Sequence, residues 1–526
     1  MKFNNISKKV LTIALAALPL VSCTEDVMDD INHNKNNPET VTSKFMMTDL
    51  MVATAVNAVG GDFNVYSSIY MELETGVENQ TYNAEIRSGE PNVPATYDNM
   101  WGAVYSNIRT AKDVIAKCSE GGVEAGNNVT LGVAKLLYAY NAAILTDLFG
   151  DVPYTQACVY TELGTPMYMQ PEIDKQETIY ADIMKNIDEA IVLFDGDDEA
   201  TSGPMGSQDV IYGGNSSLWK KTAYALKARY TMRLLAKAEN KTKALNDVVS
   251  YVDKSFASAA EECKFAVYDG GSQFNPFFDF MYSRLGLGAS KSLAEKMAER
   301  NDPRLNQSFG TNWNTVNGNP TEVVTDGSKL NAAPNGTPEQ RLMSYDCSLA
   351  SYAITAPTHL ISYHELLFIK AEALCRLGQK EKASEVLKDA VVAAFANHEN
   401  TVNSALNNYL EIKADIDLGT SVAEEYFDKS VKPLFDANPL KETMVQKYLS
   451  FFGANGESVE AYSDYRRLKG MNEVFVELKN PQNKSKFPLR FTYGASDVLS
   501  NMNIKEACGD GMYVYTENVW WAGGSR

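Results

Sequence analysis

The chain has 526 residues, 44% of them hydrophobic and 22% charged, a balance that belongs to globular rather than disordered protein. With 67 acidic against 48 basic residues the formal net charge is −19, which excludes nucleic acid as a partner, because duplex binding needs clustered cations to displace counterions. Four histidines and seven cysteines, with no Cys-x-x-Cys pair, leave no basis for a zinc site or a thioredoxin motif, and no metal or cofactor is predicted.

The chain opens with Lys2, Lys8 and Lys9 and continues through a largely apolar run from Val10 to Leu20, the layout of an export signal. That run is too short to cross a bilayer, which takes about 20 apolar residues. Residues 1–22 are therefore predicted to be removed. Leu20-Val21-Ser22-Cys23 resembles a lipobox, so Cys23 is the expected lipidation site, where several acyl chains (palmitate among them) would anchor the mature protein stably. Residues 23–45 read as a tether whose Glu25, Asp26, Asp29 and Asp30 would be repelled by anionic headgroups. Residues 46–526 read as one helical domain.

From Asp98 onward, Trp101, Val104, Tyr105, Ile108, Ala111, Ile115 and Cys118 recur at helical spacing. A second helix carries Leu131, Ala134, Leu137, Tyr138, Ala142, Leu145 and Leu148, and Gly150 and Pro153 stop it. A third runs through Tyr180, Ile183, Ile187, Ala190, Ile191 and Phe194, and a fourth through Trp219, Ala223, Leu226, Tyr230 and Leu234. Between Thr358 and Ala396 two helical runs hinged at Gly378 resemble a tetratricopeptide repeat, with Ala371, Leu374, Ala383, Leu387 and Ala390 at the expected small and bulky positions and Phe395 where a proline usually stands. Stretches rich in Gly, Asn, Ser and Thr at 196–217, 270–290 and 308–337 read as long excursions from this frame, of the kind that carry function. The segment Pro488–Tyr493 has an extended pattern that predicts a short strand. Cys118 and Cys375 fall on apolar helix sides, as small buried hydrophobes do.

Catalytic signatures fail one by one. His364-Glu365 lacks the second histidine of a zinc-hydrolase motif, since Phe368 stands there, and His359 and His364 are spaced to point apart on a helix. Gly214-Asn215-Ser216-Ser217-Leu218 lacks the last glycine of a nucleophile elbow. Gly286-Leu287-Gly288 meets Lys291 where a dinucleotide loop needs glycine. Asp195-Gly196-Asp197-Asp198-Glu199 lacks the EF-hand order for calcium. No carboxylate pair is singled out for glycoside hydrolysis.

The unusual feature is aromatic supply: 5 Trp, 28 Tyr and 21 Phe, many in polar segments. Sugar C–H faces stack on such rings while neighbouring amides and hydroxyls bond the sugar hydroxyls; the same rings also fill ordinary cores. Tyr66, Asn79, Tyr82, Phe277, Phe278 and Trp313 have that mixture and are the candidate ligand-binding residues.

Several segments together resemble the SusD-like (RagB/SusD) family: the lipobox at Cys23, Trp101-Gly102-Ala103-Val104-Tyr105-Ser106-Asn107-Ile108, Leu145 to Tyr154, Tyr180-Ala181-Asp182-Ile183, Arg300-Asn301-Asp302-Pro303-Arg304-Leu305 and Glu365 to Ala373. Tyr462 to Leu468 departs from the commoner family ending and points to a divergent subgroup. The resemblance implies an all-α fold, a right-handed frame of tetratricopeptide-like helix pairs with long loop insertions, the ligand-binding one spanning about 265–340, and few short strands. It implies a non-catalytic outer-membrane lipoprotein facing the cell surface, which captures oligosaccharide and delivers it to a TonB-dependent SusC-like transporter. Alternatives are an oligopeptide ligand on the same architecture, a surface glycoside hydrolase, or a scaffold with no small ligand.

Overall fold

The four amphipathic stretches all become helices in the computed structural model, which describes residues 41–88, 94–161, 164–311, 319–340, 345–453 and 456–526. The chain divides into Met1–Thr42 and Ser43–Arg526, and the architecture is that of the second unit. The signal segment and Cys23 lie outside the described residues. The tether, expected to reach residue 45, gives way at Ser43 to α1 (Ser43–Ala53), which continues as a π-helical turn, Thr54–Val59.

Next come α2 (Asp62–Tyr70), β1 (Glu74–Gly76), α3 (Asn79–Glu85), α4 (Asp98–Cys118) and α5 (Asn128–Phe149). α5 is long and apolar enough to cross a membrane, yet 94% of its most apolar window is buried inside the protein. A helix that is hydrophobic all round belongs in a core, and α5 packs against α1, α4 and α7 as well as its successor. Gly150 ends it at φ +84, and its N–H bonds Thr146 O at 2.8 Å. The chain then pairs β2 (Val152–Pro153) with β3 (Ile173–Asp174) before α6 (Gln176–Leu193), α7 (Ser216–Arg233) and α8 (Lys241–Asp253). The acidic run at 195–199 serves structure: Asp198 accepts from Thr130 N at 3.0 Å and Thr130 Oγ1 at 2.7 Å, and Asp195 pairs with Lys220.

In and flanking the insertion lie β4 (Cys263–Phe265), α9 (Pro276–Arg284), β5 (Leu287–Ala289), α10 (Lys291–Ala298), β6 (Phe309–Thr311), β7 (Glu322–Val323) and β8 (Cys347–Ser348). The stretch 270–290 is thus no open loop. Asn275 nucleates α9 by accepting from Phe277 N at 2.8 Å, with Pro276 preset for the first turn. β5 pairs antiparallel with β1, Glu74 opposite Ala289, and β6 lies between β7 and β8. β9 (Thr358–Ile361) returns to pair with β4.

α11 (Tyr363–Arg376) and α12 (Lys380–Ala405) form the tetratricopeptide-like pair, with Ala371, Leu374, Ala383, Leu387 and Ala390 all buried between them and Gly378 at φ +74 in the hinge. Phe395 replaces the closing proline because α12 does not stop there: its ring stacks on Tyr426 at 5.3 Å and the helix runs on. Then follow α13 (Thr420–Tyr426), α14 (Lys432–Ala437), α15 (Pro439–Ser450) and α16 (Ser458–Gly470). Contacts run in succession from α4 through α5, α6, α7 and α8 to α11, α12 and α15, so each amphipathic pair buries the face of the next, as repeats must. Residues 488–493 form no strand; they lie in the core with Leu489 N on Val514 O and Phe491 N on Leu148 O. Burial, not sheet pairing, explains their apolar alternation.

Candidate functional site

α9 and the residues just before it present rings at spacings of four. Phe274 meets Phe278 edge-on at 5.7 Å, and Phe278 stacks with Tyr282 at 5.7 Å and 21°. Tyr409, in the π-helical turn Leu406–Leu410 that ends α12, closes the cluster edge-on to Phe278 at 4.6 Å. Phe278 is buried, while Tyr282 is 60% exposed and Phe274 and Tyr409 are half-buried. The result is a platform with a rigid base and an open edge. Such rings offer flat apolar area at little entropic cost.

Beside the platform a cleft of about 780 Å³ opens between residues 306–307 and 319–325 on one side and 410–416 on the other, within the size range of ligand pockets. Gln307 ties its walls together: Nε2 donates to Asp417 O at 3.0 Å, and Oε1 accepts from Asp417 N at 2.7 Å. Asn319 in the opposite wall donates to Tyr409 Oη at 3.3 Å, joining cleft to platform. Glu411, Lys413 and Asp415 are exposed on its lip. Glu411 holds φ +55, a left-handed conformation that a residue with a Cβ adopts at a cost, as is common at working sites.

The candidate residues separate by burial. Tyr66 is 3% exposed and packs edge-on to Tyr97 at 5.3 Å within a cluster that includes Tyr70 and Phe491. Phe277, 5% exposed, points into the core, and Phe278 lies beneath the platform rather than on it. These three are corrected to structural roles, because rings spent on core contacts have no face left for a ligand. Asn79 is exposed and Tyr82 half-buried on α3. Between them Thr81 bonds Gly286 O at 2.6 Å, so α3 hangs on the chain just past α9. Trp313 lies outside the described residues. The sequence reading missed Tyr409 and Asn319, although Asn407-Asn408-Tyr409 shows the same ring-among-amides pattern that marked Tyr82.

Two carboxyls under this region are held toward the neutral form. Burial pushes Glu74 on β1 up to about 8 and Glu85 on α3 up to about 7, the latter against the pull of nearby Arg87. Glu85 still works as a clamp, accepting from Gly336 N at 2.6 Å and Gly76 N at 3.3 Å. The histidines meet rather than diverge, because Ser362 separates β9 from α11: the His359 and His364 rings lie 6.4 Å apart, facing Glu262 at 3.4 Å and Glu457 at 3.1 Å respectively. All four groups are buried, as expected of core histidines. The six described cysteines are free, and none is fully exposed.

Residues 35–494 match the SusD-like family described as starch-binding and associating with the outer membrane. A SusD/RagB family protein from Bacteroides thetaiotaomicron is 44% identical, with a TM-score of 0.87 over 93% of this chain and 100% of that one. A SusD homologue from Bacteroides fragilis shares 20% identity and a TM-score of 0.68, over 92% of this chain and 100% of its own. A chitin-binding protein matches equally in identity and TM-score, over 91% of this chain and 100% of its own. At 20% identity these last two speak for the fold alone. No curated protein matches the chain.

Proposed function

The chain belongs to the SusD-like family of outer-membrane-associated binding proteins, and on that premise we propose that it is a non-catalytic surface lipoprotein that captures oligosaccharide and delivers it to a TonB-dependent SusC-like transporter. In this reading Cys23 carries the lipid anchor and the acidic tether holds the domain off the membrane. Sugar rings stack on Tyr282, Phe274 and Tyr409, and Asn319, with Asn79, Tyr82 and Trp313, supplies amide and ring contacts. The observation that carries the reading is the platform itself: the exposed Tyr282 and half-buried Phe274 and Tyr409 packed on a buried Phe278, beside a cleft lined with amides.

A second reading has its own support. Glu411, Lys413 and Asp415 on the cleft lip are charges suited to an oligopeptide. Calorimetric titration of the chain lacking residues 1–23 against plant, host and microbial oligosaccharides and a tryptic peptide mixture separates the two, with product analysis afterwards. Saturable glycan binding without new products is expected. Binding to peptides alone would replace the ligand, and any cleavage would replace capture by hydrolysis.

A further inference from the structure

We infer that a second glycan-binding site lies in the groove between α4, residues 157–160 and 166–171, and Ser496–Asp497, and that it takes one neutral sugar ring. It rests on the reading above for its ligand class alone. The groove holds about 300 Å³ and shares no residue with the cleft beside Tyr409. That volume is at the small end for ligand sites.

Its floor is the buried Trp101 with the half-buried Tyr105, and its open rings are Tyr160 and Tyr168. Each of the first three is fixed by a polar or cationic contact. Trp101 Nε1 donates to Asp497 Oδ2 at 2.8 Å, Tyr105 Oη donates to Pro153 O at 2.7 Å, and the Arg109 guanidinium lies 4.3 Å from the Tyr160 ring centre. Tyr168 is 43% exposed and stands at the rim with Met169. Rings locked in this way are already in place before a ligand arrives, so little entropy is lost on stacking.

The polar counterpart is Asp497. Trp101 is its one side-chain donor among the described residues and reaches only Oδ2. A half-buried carboxylate with spare acceptor capacity in an aromatic groove favours a ligand that brings hydroxyl donors, since such charge-assisted bonds are the strong ones. Burial, and Asp98 beside it, raise the Asp497 carboxyl from its ordinary value, in keeping with that shortage of donors. The cations Arg109, over Tyr160, and Lys112, bound to Ala157 O at 2.7 Å, border the groove, which disfavours a cationic ligand and leaves a neutral ring.

The loop side of the groove is built, not loose. Asn501 Nδ2 donates to Pro171 O at 2.9 Å and Asn503 Nδ2 to Gln170 O at 3.2 Å. Cys158 is held at φ +55 with its thiol on Tyr105 O at 3.4 Å. Such strain persists only where surrounding contacts fix the backbone, and it gathers at binding sites.

Hydrogen exchange of the full chain in detergent, with malto-, cello-, xylo- and chito-oligosaccharides each at millimolar concentration, tests the inference. At least one should slow exchange in residues 157–171 and 495–501. Tyr168→Ala and Asp497→Asn should each raise the concentration for half-protection roughly tenfold, as loss of one stacked ring or one charged acceptor would, without altering any protection at 406–416. Protection at 157–171 with none at 406–416 would support this site and refute the cleft. No protection at 157–171 with any of the four, or protection indifferent to both substitutions, overturns the inference.

Discussion

Arg467 of α16 and Glu372 of α11 meet through two parallel hydrogen bonds, Nη1 to Oε1 and Nη2 to Oε2, both 2.8 Å, with neither side chain exposed. The pair welds the tetratricopeptide-like hairpin to the C-terminal part of the domain, and Arg376 and Asp464 extend it on either side. Bidentate geometry offsets much of the desolvation cost, which a single-point contact would not. Removing one partner leaves an unpaired buried charge. Glu372→Met and Arg467→Met are therefore each expected to cost about 3–5 kcal/mol, and the double substitution clearly less than their sum. Urea unfolding of the three variants checks this; additive losses would deny the coupling.

Glu74 gives a pH signature of known sign. Its folded-state pKa, about 8, lies above the unfolded value near 4.5, so the native state binds more protons between those limits. Its contribution is greatest below pH 4.5 and is lost as pH rises through 8. Glu74→Gln should remove that loss, gaining on the order of 4 kcal/mol at pH 8.5 relative to its difference from wild type at pH 5. Any pH-independent cost of the amide cancels in that comparison. Parallel stability curves for the two proteins across this window would contradict the assignment.

Gly150 tests why α5 stops where it does. Its φ of +84 strains any residue with a Cβ, and a Cβ there would lie 2.5 Å from Arg490 Nη1. Arg490 cannot easily retreat, because it donates to Glu517 O at 3.0 Å and Asn518 O at 2.5 Å. Gly150→Ala should cost about 2–4 kcal/mol, strain and displacement together, read as a lower urea midpoint with unchanged slope. A neutral result would mean that the turn relaxes freely.

The helical frame was legible because burial along a surface helix is periodic, as in α4, while α5 gave itself away by an apolar run closed by Gly150. Gly150 and Gly378 marked helix ends for the same local reason, backbone freedom. The site was legible only in part. Tyr66 and Tyr282 are the same residue type, and what separates them is packing: Tyr70 and Tyr97 pack on the first inside the core, while the second stacks on Phe278 and Tyr409 and stays 60% exposed. Nor does any local pattern place Asn319 against Tyr409, ninety positions on. His359 and His364 were read as diverging because one helix was assumed across both; the break at Ser362 brings them together.

Glu411 strains its turn, and its charge separates the two ligand readings. A glycine tolerates its φ of +55 without the Cβ penalty, so Glu411→Gly should raise stability by up to about 1 kcal/mol. It also removes a charge from the cleft lip. If the ligand is a neutral glycan, affinity should change little; if it is a cationic peptide, affinity should fall. Thermal unfolding and titration on one preparation read both effects, and a destabilised variant would deny that the turn is strained.

Tyr282 and Phe278 separate recognition from support within one stacked pair. Tyr282 is 60% exposed, so Tyr282→Ala should change stability by less than about 0.5 kcal/mol. It should weaken oligosaccharide binding roughly tenfold, the worth of one well-placed ring. Phe278, 2% exposed, should behave in the opposite order: Phe278→Ala should cost about 3–5 kcal/mol as a core cavity, and Phe278→Leu should restore most of the stability while leaving binding impaired, because Tyr282 then loses the flat surface that orients it. Tyr66→Ala should resemble Phe278→Ala in stability alone, with affinity intact in the folded fraction. Should Tyr282→Ala bind every glycan as wild type does, the α9 platform is not the ligand surface, whatever the ligand proves to be.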